Sequence, residues 1–216
     1  MTKRIGRLHV LTDTVLQSRF SHVELTRLAI AGGADTIQFR QKNGATREMI
    51  ETARQLKQIC ADACVTFIVN DRVDVAIAAR ADGVHLGQDD FPILLAHELL
   101  GQNQIIGGSA ATLEEAQKCL AEKVDYIGFG PVYPTTSKTD AGPISGTSLL
   151  KQVIETIPLP IIAIGGVTAE NTPEVMRAGA HGIAVISAVC CHENPEQATL
   201  ALYQALHGIT QGEHLV

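Results

Sequence analysis

Residues 29–40, AIAGGADTIQFR, contain the end of an amphipathic helical pattern, a turn through two glycines and a short apolar run. The same sequence of features recurs at residues 79–90, ARADGVHLGQDD, and at residues 176–187, MRAGAHGIAVIS. In each case a small turn of Ala with Gly or Asp separates a helical pattern from a strand-like run, which is typical of βα units on a parallel sheet. The repetition predicts parallel strands that alternate with helices.

The alternation extends along the whole chain and gives eight units. The predicted strands are Leu8–Leu11, Thr36–Phe39, Thr66–Val69, Gly83–Leu86, Gln104–Ile106, Tyr126–Phe129, Pro160–Ile164 and Gly182–Val185. The predicted helices are Val23–Ala31, Arg47–Ala61, Val73–Ala79, Leu94–Leu99, Leu113–Leu120, Ser148–Thr156, Pro173–Ala178 and Pro195–Leu206. Eight such units in 216 residues indicate an α/β fold, a single (β/α)8 TIM barrel over residues 1–216 with a frayed tail at 211–216. A doubly wound sheet is the alternative.

Composition and charge exclude several classes of protein. With 45% hydrophobic residues the chain can bury a core, which excludes a disordered protein. The net charge of -6 and the lack of a Lys/Arg run argue against a nucleic-acid-coating protein. No apolar run approaches the roughly 20 residues of a membrane span, and Thr12 and Asp13 come too early for a signal peptide. We expect a cytoplasmic protein without nucleic-acid or membrane partners; assembly into a homo-oligomer is left open.

Polar side chains and backbone N–H groups suited to ligands cluster in and after the predicted strands. In (β/α)8 barrels the chemistry lies at the C-terminal strand ends, so these residues should converge on one rim. In chain order they are Gln38, Arg40, Lys42, Asn70, Asp71, Asp89, Asp90, Ser109, Thr135, Thr136, Ser137, Lys138, Gly165, Gly166, Ile186 and Ser187.

The residue types at this rim suggest two phosphate sites. Arg40, Lys42 and Lys138 are cations suited to phosphoryl oxygens, and Asp71 with Asp89 or Asp90 supplies the hard oxygen ligands that Mg²⁺ prefers. Backbone N–H groups after strands seven and eight, at Gly165-Gly166 and Ile186-Ser187, commonly bind a phosphate in such barrels. The pattern predicts two phosphorylated substrates, one with a metal-bound diphosphate.

Each of these residues also has a purely structural interpretation. Gly165-Gly166 could form a tight turn, Asp71 and Asp90 could cap helices, and a lone Arg40 would be a solvated charge. Independent caps and turns would not gather cations, carboxylates and glycines on one face, so the joint pattern favours a functional site. His85, between Val84 and Leu86, is interpreted as an ordinary packed histidine.

Five stretches, in order along nearly the whole chain, carry a family resemblance. They are QFRQK at 38–42, NDRVD at 70–74, GVHLGQDD at 83–90, GFGPVYPT at 128–135 and AIGGV at 163–167. Together they resemble thiamine-phosphate synthase. The resemblance implies a (β/α)8 barrel and a transferase of thiamine biosynthesis that joins hydroxymethylpyrimidine diphosphate to thiazole phosphate, giving thiamine phosphate and diphosphate.

The resemblance also implies roles for individual residues. Gln38, Arg40 and Lys42 resemble ligands of the pyrimidine diphosphate, and Asn70 and Ser109 resemble residues that contact the pyrimidine. Asp71 and Asp90 resemble the Mg²⁺ ligands. The stretch Thr135-Thr136-Ser137-Lys138 matches a T-x-T-K loop that bridges both substrates, and Gly166, Ile186 and Ser187 match the thiazole-phosphate site.

The family mechanism is dissociative, so that diphosphate departs first and the thiazole nitrogen captures a pyrimidine-stabilised carbocation. It requires no side-chain nucleophile; Arg40, Lys42 and Lys138 would neutralise the leaving group. The chain departs from the family at Ala111, where many relatives have histidine, and at Ser137, which replaces the second threonine of T-x-T-K.

The sequence leaves two other functions open. A thiazole tautomerase shares the barrel but needs an acid/base group, and the associated histidine is the residue replaced by Ala111. A non-catalytic regulator would bind phosphate without forming product. Retention of Asp71, Asp90 and Lys138 favours the synthase.

Overall fold

Eight parallel strands close into a barrel in the computed structural model, which describes residues 5–101, 103–137 and 142–208. The strands are β1 (Leu8–Thr12), β2 (Thr36–Phe39), β3 (Thr66–Asn70), β4 (Gly83–Leu86), β5 (Ile105–Ala110), β6 (Tyr126–Phe129), β7 (Ile161–Ile164) and β8 (Gly182–Val185). Each pairs with the next, and β8 pairs with β1. The predicted (β/α)8 TIM barrel is confirmed.

Helices follow every strand among the residues described. They are α1 (His22–Ala31), α2 (Thr46–Asp62), α3 (Val73–Ala79), α4 (Ile93–Leu99), α5 (Leu113–Ala121), α6 (Gly146–Thr156), α7 (Thr172–Arg177), α8 (Ser187–Cys190) and α9 (Pro195–His207). Side-chain caps start several of them: the Ser21 hydroxyl accepts from the Glu24 N–H at α1, and Asn194 caps α9 in the same way. No helix in the described part of the chain is long and apolar enough to cross a membrane.

The strands are buried on both faces, which explains their continuous apolar runs. Val10 and Phe67 belong to the layer that packs against the helices, whereas their neighbours Leu11 and Ile68 belong to a second cluster with Tyr126. Since side chains alternate across a strand, this second cluster fills the barrel interior. The barrel interior below the C-terminal rim is therefore filled by side chains, and the space for ligands lies at the rim.

The structure differs from the predictions at two places near the rim. Strand β5 continues to Ala110 instead of ending at Ile106, because residues 107–110 pair with residues 126–129 of β6. Ser109 is therefore a strand residue. The short helix Ser187–Cys190 was not predicted; it begins directly after β8. The predicted tail 211–216 and Lys138 lie outside the described residues.

Two buried histidines make stability depend on pH. Burial lowers the pKa of His9 to about 4 and that of His22 to about 4, from an ordinary value of 6.5. The unfolded chain therefore binds more protons than the fold below pH 6.5, and stability falls as pH falls towards 4. Between pH 7 and pH 5 we expect the free energy of unfolding to drop by about 2 kcal/mol per histidine, measured by urea denaturation.

A variant pair isolates the contribution of His22. Its ring nitrogens bond to Thr12 and Thr14 hydroxyls at 2.8 and 3.3 Å. His22→Gln should reduce the pH 7 to 5 drop in the free energy of unfolding by about 2 kcal/mol, and His9→Gln should reduce it by a similar amount. An unaltered slope in His22→Gln would contradict the prediction.

Candidate active site

A cavity of about 780 Å³ opens at the C-terminal rim of the barrel. This volume suits a small-molecule site. Most of the site residues predicted from the sequence line it: Lys42, Asn70, Asp71, Asp90, Ser109, Thr135, Thr136, Ser137, Gly166, Ile186 and Ser187. Gln38 and Arg40 are buried and do not line it, and Lys138 is not among the described residues. Asp89 and Gly165 also line it, so the predicted convergence of strand ends on one rim is seen for thirteen of the sixteen residues.

Two carboxyl groups meet at one side of the cavity. Asp71 follows β3, and its carboxylate contacts the Lys42 ammonium at 2.6 Å and the side chain of Asp90. Asp90 follows β4 and accepts a hydrogen bond of 2.7 Å from the Gly87 N–H. Burial, reinforced by the adjacent Asp90 and opposed by Lys42, raises the pKa of Asp71. Asp89 also lines the cavity but is exposed, so Asp90 is the better placed of the two alternatives.

This carboxyl pair suits Mg²⁺, which needs few protein ligands, better than it suits a metal that is bound only by protein side chains. Among the residues described, no group of three or more His, Cys, Asp or Glu side chains is close enough to hold an ion. Magnesium usually binds through one or two carboxylates and completes its shell with water and substrate phosphate. The crowding of Asp71 against Asp90, which a cation would relieve, matches that donor set.

Arg40 is tied to a residue that was not singled out from the sequence. Its Nη1 donates to the carboxylate of Asp13, and both side chains are buried. The other Asp13 oxygen accepts from the N–H groups of Val15 and Leu16 at 2.8 and 3.0 Å. Nε of Arg40 has no acceptor among the described residues, so the guanidinium retains donor capacity beyond this pair.

The opposite side of the cavity is built from the ends of β6, β7 and β8. Gly166 has a φ of +65°, and a Cβ there would lie 2.5 Å from the Pro134 carbonyl oxygen. Only glycine therefore allows the loop after β6 to pack over the end of β7. The Ser137 hydroxyl lies 2.9 Å from that of Ser187, which joins the same loop to β8.

The bottom of the cavity contains contacts that the sequence reasoning missed. His85 is buried, as expected for a packed histidine, but its Nε2 lies 2.9 Å from the Ser109 hydroxyl and its Nδ1 lies 3.0 Å from the Tyr126 hydroxyl. Gln88 donates to the Ser109 carbonyl oxygen at 2.7 Å and accepts from Lys118. The register of β4, β5 and β6 creates these contacts, which a single strand pattern does not reveal.

Comparisons with known proteins show the family to which the chain belongs. The family model described as thiamine monophosphate synthase matches residues 8–189. The chain is 52% identical over 207 residues to a thiamine-phosphate synthase of Salinibacter ruber, with 96% of this chain and 91% of the relative covered. It is 50% identical over 187 residues to one of Methanocella arvoryzae, covering 87% and 88%.

A solved structure gives the same result in three dimensions. The thiamine phosphate pyrophosphorylase of Pyrococcus furiosus superposes with a TM-score of 0.86 at 41% sequence identity, over 94% of this chain and 96% of that one. The family match spans most of the chain, and the relatives are named thiamine-phosphate synthase, which is a transferase. The chain therefore belongs to the thiamine monophosphate synthase family and is an enzyme of the transferase class.

Proposed function

We propose that the enzyme joins hydroxymethylpyrimidine diphosphate to thiazole phosphate and releases diphosphate, in a reaction that requires Mg²⁺. The observation that carries this proposal is the contact of Asp71, Asp90 and Lys42 at one side of a cavity whose other side is formed by Gly166 and Ser187. One side suits a metal-bound diphosphate, and the other offers backbone N–H groups and hydroxyls to a second phosphate.

The residues around the pyrimidine diphosphate would bind its charge as the C–O bond breaks. Asp71 and Asp90 would hold Mg²⁺, which as a Lewis acid stabilises the negative charge that builds up on the departing oxygens. Lys42 is 43% exposed at the cavity edge and can move from Asp71 to a phosphoryl oxygen once the carboxylate is engaged elsewhere. Arg40, held by Asp13, would supply a second fixed cation.

The remaining residues would position the reactants. Asn70 and Ser109 line the cavity and would hold the pyrimidine, while Thr135, Thr136 and Ser137, on the loop after β6, would contact both substrates. Gly166, Ile186 and Ser187 would bind the thiazole phosphate. This geometry favours a dissociative substitution, because it offers leaving-group stabilisation and alignment and needs no side-chain nucleophile.

One assay tests the proposal against its rivals. The enzyme is mixed with the pyrimidine diphosphate and the thiazole phosphate, with Mg²⁺ or with excess chelator, and thiamine phosphate is quantified. We expect product only with Mg²⁺. Interconversion of thiazole tautomers without product would indicate the tautomerase, and phosphate binding without any turnover would indicate a regulator; either result would overturn the proposal.

Lys138 provides a separate prediction. As the last residue of the T-x-T-K match it would neutralise the leaving diphosphate, so Lys138→Ala should lower kcat by at least about tenfold. The melting temperature should stay at the wild-type value. The matched control is Lys151→Ala on α6, whose side chain is 62% exposed and lies 3.8 Å from Glu155. Wild-type kcat in a well-folded Lys138→Ala protein would rule out the leaving-group role.

A further inference from the structure

We propose that His85 and Tyr126 form a positioning pair that connects Gln38 to Ser109 and directs the Ser109 hydroxyl into the cavity as a hydrogen-bond donor to the pyrimidine. The inference rests on the proposed function, because it concerns how the pyrimidine substrate is recognised. Ser109 is the member of this set that lines the cavity. His85 and Tyr126 would therefore act through it, without touching substrate themselves.

The four side chains form a continuous hydrogen-bonded chain across the barrel interior. The Gln38 side chain bonds to the Tyr126 hydroxyl. That hydroxyl is 3.0 Å from Nδ1 of His85, and Nε2 of His85 is 2.9 Å from the Ser109 hydroxyl. This series of hydrogen bonds runs from β2 through β6 and β4 to β5. It therefore joins Gln38 and Ser109, which lie on strands that are not neighbours in the barrel.

The hydrogen bonds in this series all donate in one direction, from Gln38 towards Ser109. We assign the first bond to an amide N–H of Gln38 that donates to the phenol oxygen, because the Gln38 side chain is hydrogen-bonded to Tyr126 and its amide nitrogen can act only as a donor. The Tyr126 O–H then donates to Nδ1 of His85. A neutral imidazole with an acceptor at Nδ1 carries its proton at Nε2, which donates to the Ser109 oxygen. The hydrogen of the Ser109 hydroxyl is left to point at a ligand.

The surrounding strands are shaped to hold this pair. A Cβ at Gly107 of β5 would lie 2.3 Å from Cζ of Tyr126 and 2.5 Å from Nδ1 of His85. The ring of His9 packs edge-on against Tyr126, with centroids 5.4 Å apart. Tyr126 is 1% exposed and His85 is 8% exposed. Because both rings are confined by backbone and neighbouring rings, their hydroxyl and nitrogen atoms hold fixed positions.

The matching ligand is a heteroaromatic ring with an unprotonated nitrogen. A serine hydroxyl can act as donor or acceptor, so on its own it does not select between these ligand groups. Here His85 donates to the Ser109 oxygen, so the hydrogen of the Ser109 hydroxyl is available for a bond to the ligand. An aminopyrimidine has ring nitrogens that accept such a bond. The pair would thus contribute to recognition of the pyrimidine and leave the thiazole side unaffected.

The test is a set of variants assayed for both substrates. Tyr126→Phe removes one oxygen and keeps the ring; we expect the KM for the pyrimidine diphosphate to rise about tenfold and the KM for the thiazole phosphate to stay within about twofold. His85→Gln should give the same selective change. Tyr203→Phe, on the outer helix α9, is the control with unchanged kinetics. Thermal melting of each variant shows whether it is folded.

A double-mutant cycle separates positioning from general packing. If the pair acts through the serine, Tyr126→Phe combined with Ser109→Ala should bind the pyrimidine diphosphate no more weakly than Ser109→Ala alone, as measured by calorimetry with Mg²⁺. Additive losses, equal losses for both substrates, unchanged pyrimidine affinity in folded variants, or failure of both Tyr126→Phe and His85→Gln to fold would overturn the inference. Calorimetry does not require turnover: a wild type that binds the pyrimidine diphosphate without making product contradicts only the proposed function, and one that does not bind it contradicts both.

Discussion

Asp71→Asn is expected to lower kcat/KM for the condensation by roughly 10²- to 10³-fold, the range found when one preorganised charge-stabilising group is removed. Asparagine keeps the size of the side chain and tolerates the left-handed backbone at this position, where φ is +64°. It loses the negative charge that would hold Mg²⁺ beside Asp90. The substitution therefore tests metal binding with little disturbance of the backbone.

The same substitution should not destabilise the metal-free protein. The raised pKa of Asp71 means that its ionised form is disfavoured by folding, so this carboxylate reduces stability at neutral pH. Its contact with Lys42 lies at an exposed edge and contributes little. In chelator, the melting temperature of Asp71→Asn should equal or exceed that of the wild type. If Asp71→Asn lowers kcat/KM but leaves the melting temperature unchanged or higher, the charge of Asp71 serves function and not stability.

The control is the next aspartate along the chain. Asp74 pairs with Arg72 at 2.5 Å, is 56% exposed and does not line the cavity. Asp74→Asn should retain kcat/KM within about twofold, since an exposed ion pair has little effect on either rate or stability. Near-wild-type activity of Asp71→Asn at saturating Mg²⁺ would contradict the metal-ligand role.

Much of the fold could be predicted because the residues that define each helix, strand and turn are close together in the sequence. Small turns such as Ala31-Gly32-Gly33-Ala34 mark where one helix ends and the next strand starts, and eight repeats of this unit leave few closed arrangements. The end of β5 could not be predicted in the same way. Gly107 and Gly108 read locally as a turn, but they continue β5 because they pair with β6. A Cβ at Gly107 would meet the rings of Tyr126 and His85, and one at Gly108 would lie 2.9 Å from Sγ of Cys119.

The candidate site shows the same division. Asp71, Asp90 and Ser187 were found because each lies within four residues after a strand, and strand ends share one rim. The partners of Arg40 and Ser109 were missed. Asp13 and Arg40 are 27 residues apart, and His85 and Tyr126 are 41 apart. Such pairs depend on which strands are neighbours and on their register, and no local pattern contains that information.

The Asp13–Arg40 pair leads to the second large prediction. Removing one partner of a buried ion pair leaves the other charge uncompensated, so Asp13→Asn and Arg40→Met should each lower the free energy of unfolding by about 3–5 kcal/mol. Asparagine retains an oxygen for the N–H groups of Val15 and Leu16, and methionine fills part of the volume of the arginine. Urea denaturation at pH 7 measures both changes.

The double variant separates the structural role of Arg40 from its proposed role in diphosphate binding. In Asp13→Asn/Arg40→Met neither charge is left unpaired, so its loss of stability should be smaller than the sum of the single losses by about 2 kcal/mol or more. Its kcat/KM should nevertheless be as low as that of Arg40→Met, because the diphosphate still lacks its cation. Stability would then follow the ion pair while activity follows Arg40 alone. Additive stability losses would show that the two charges are not coupled, and recovered activity in the double variant would show that Arg40 serves only to balance Asp13.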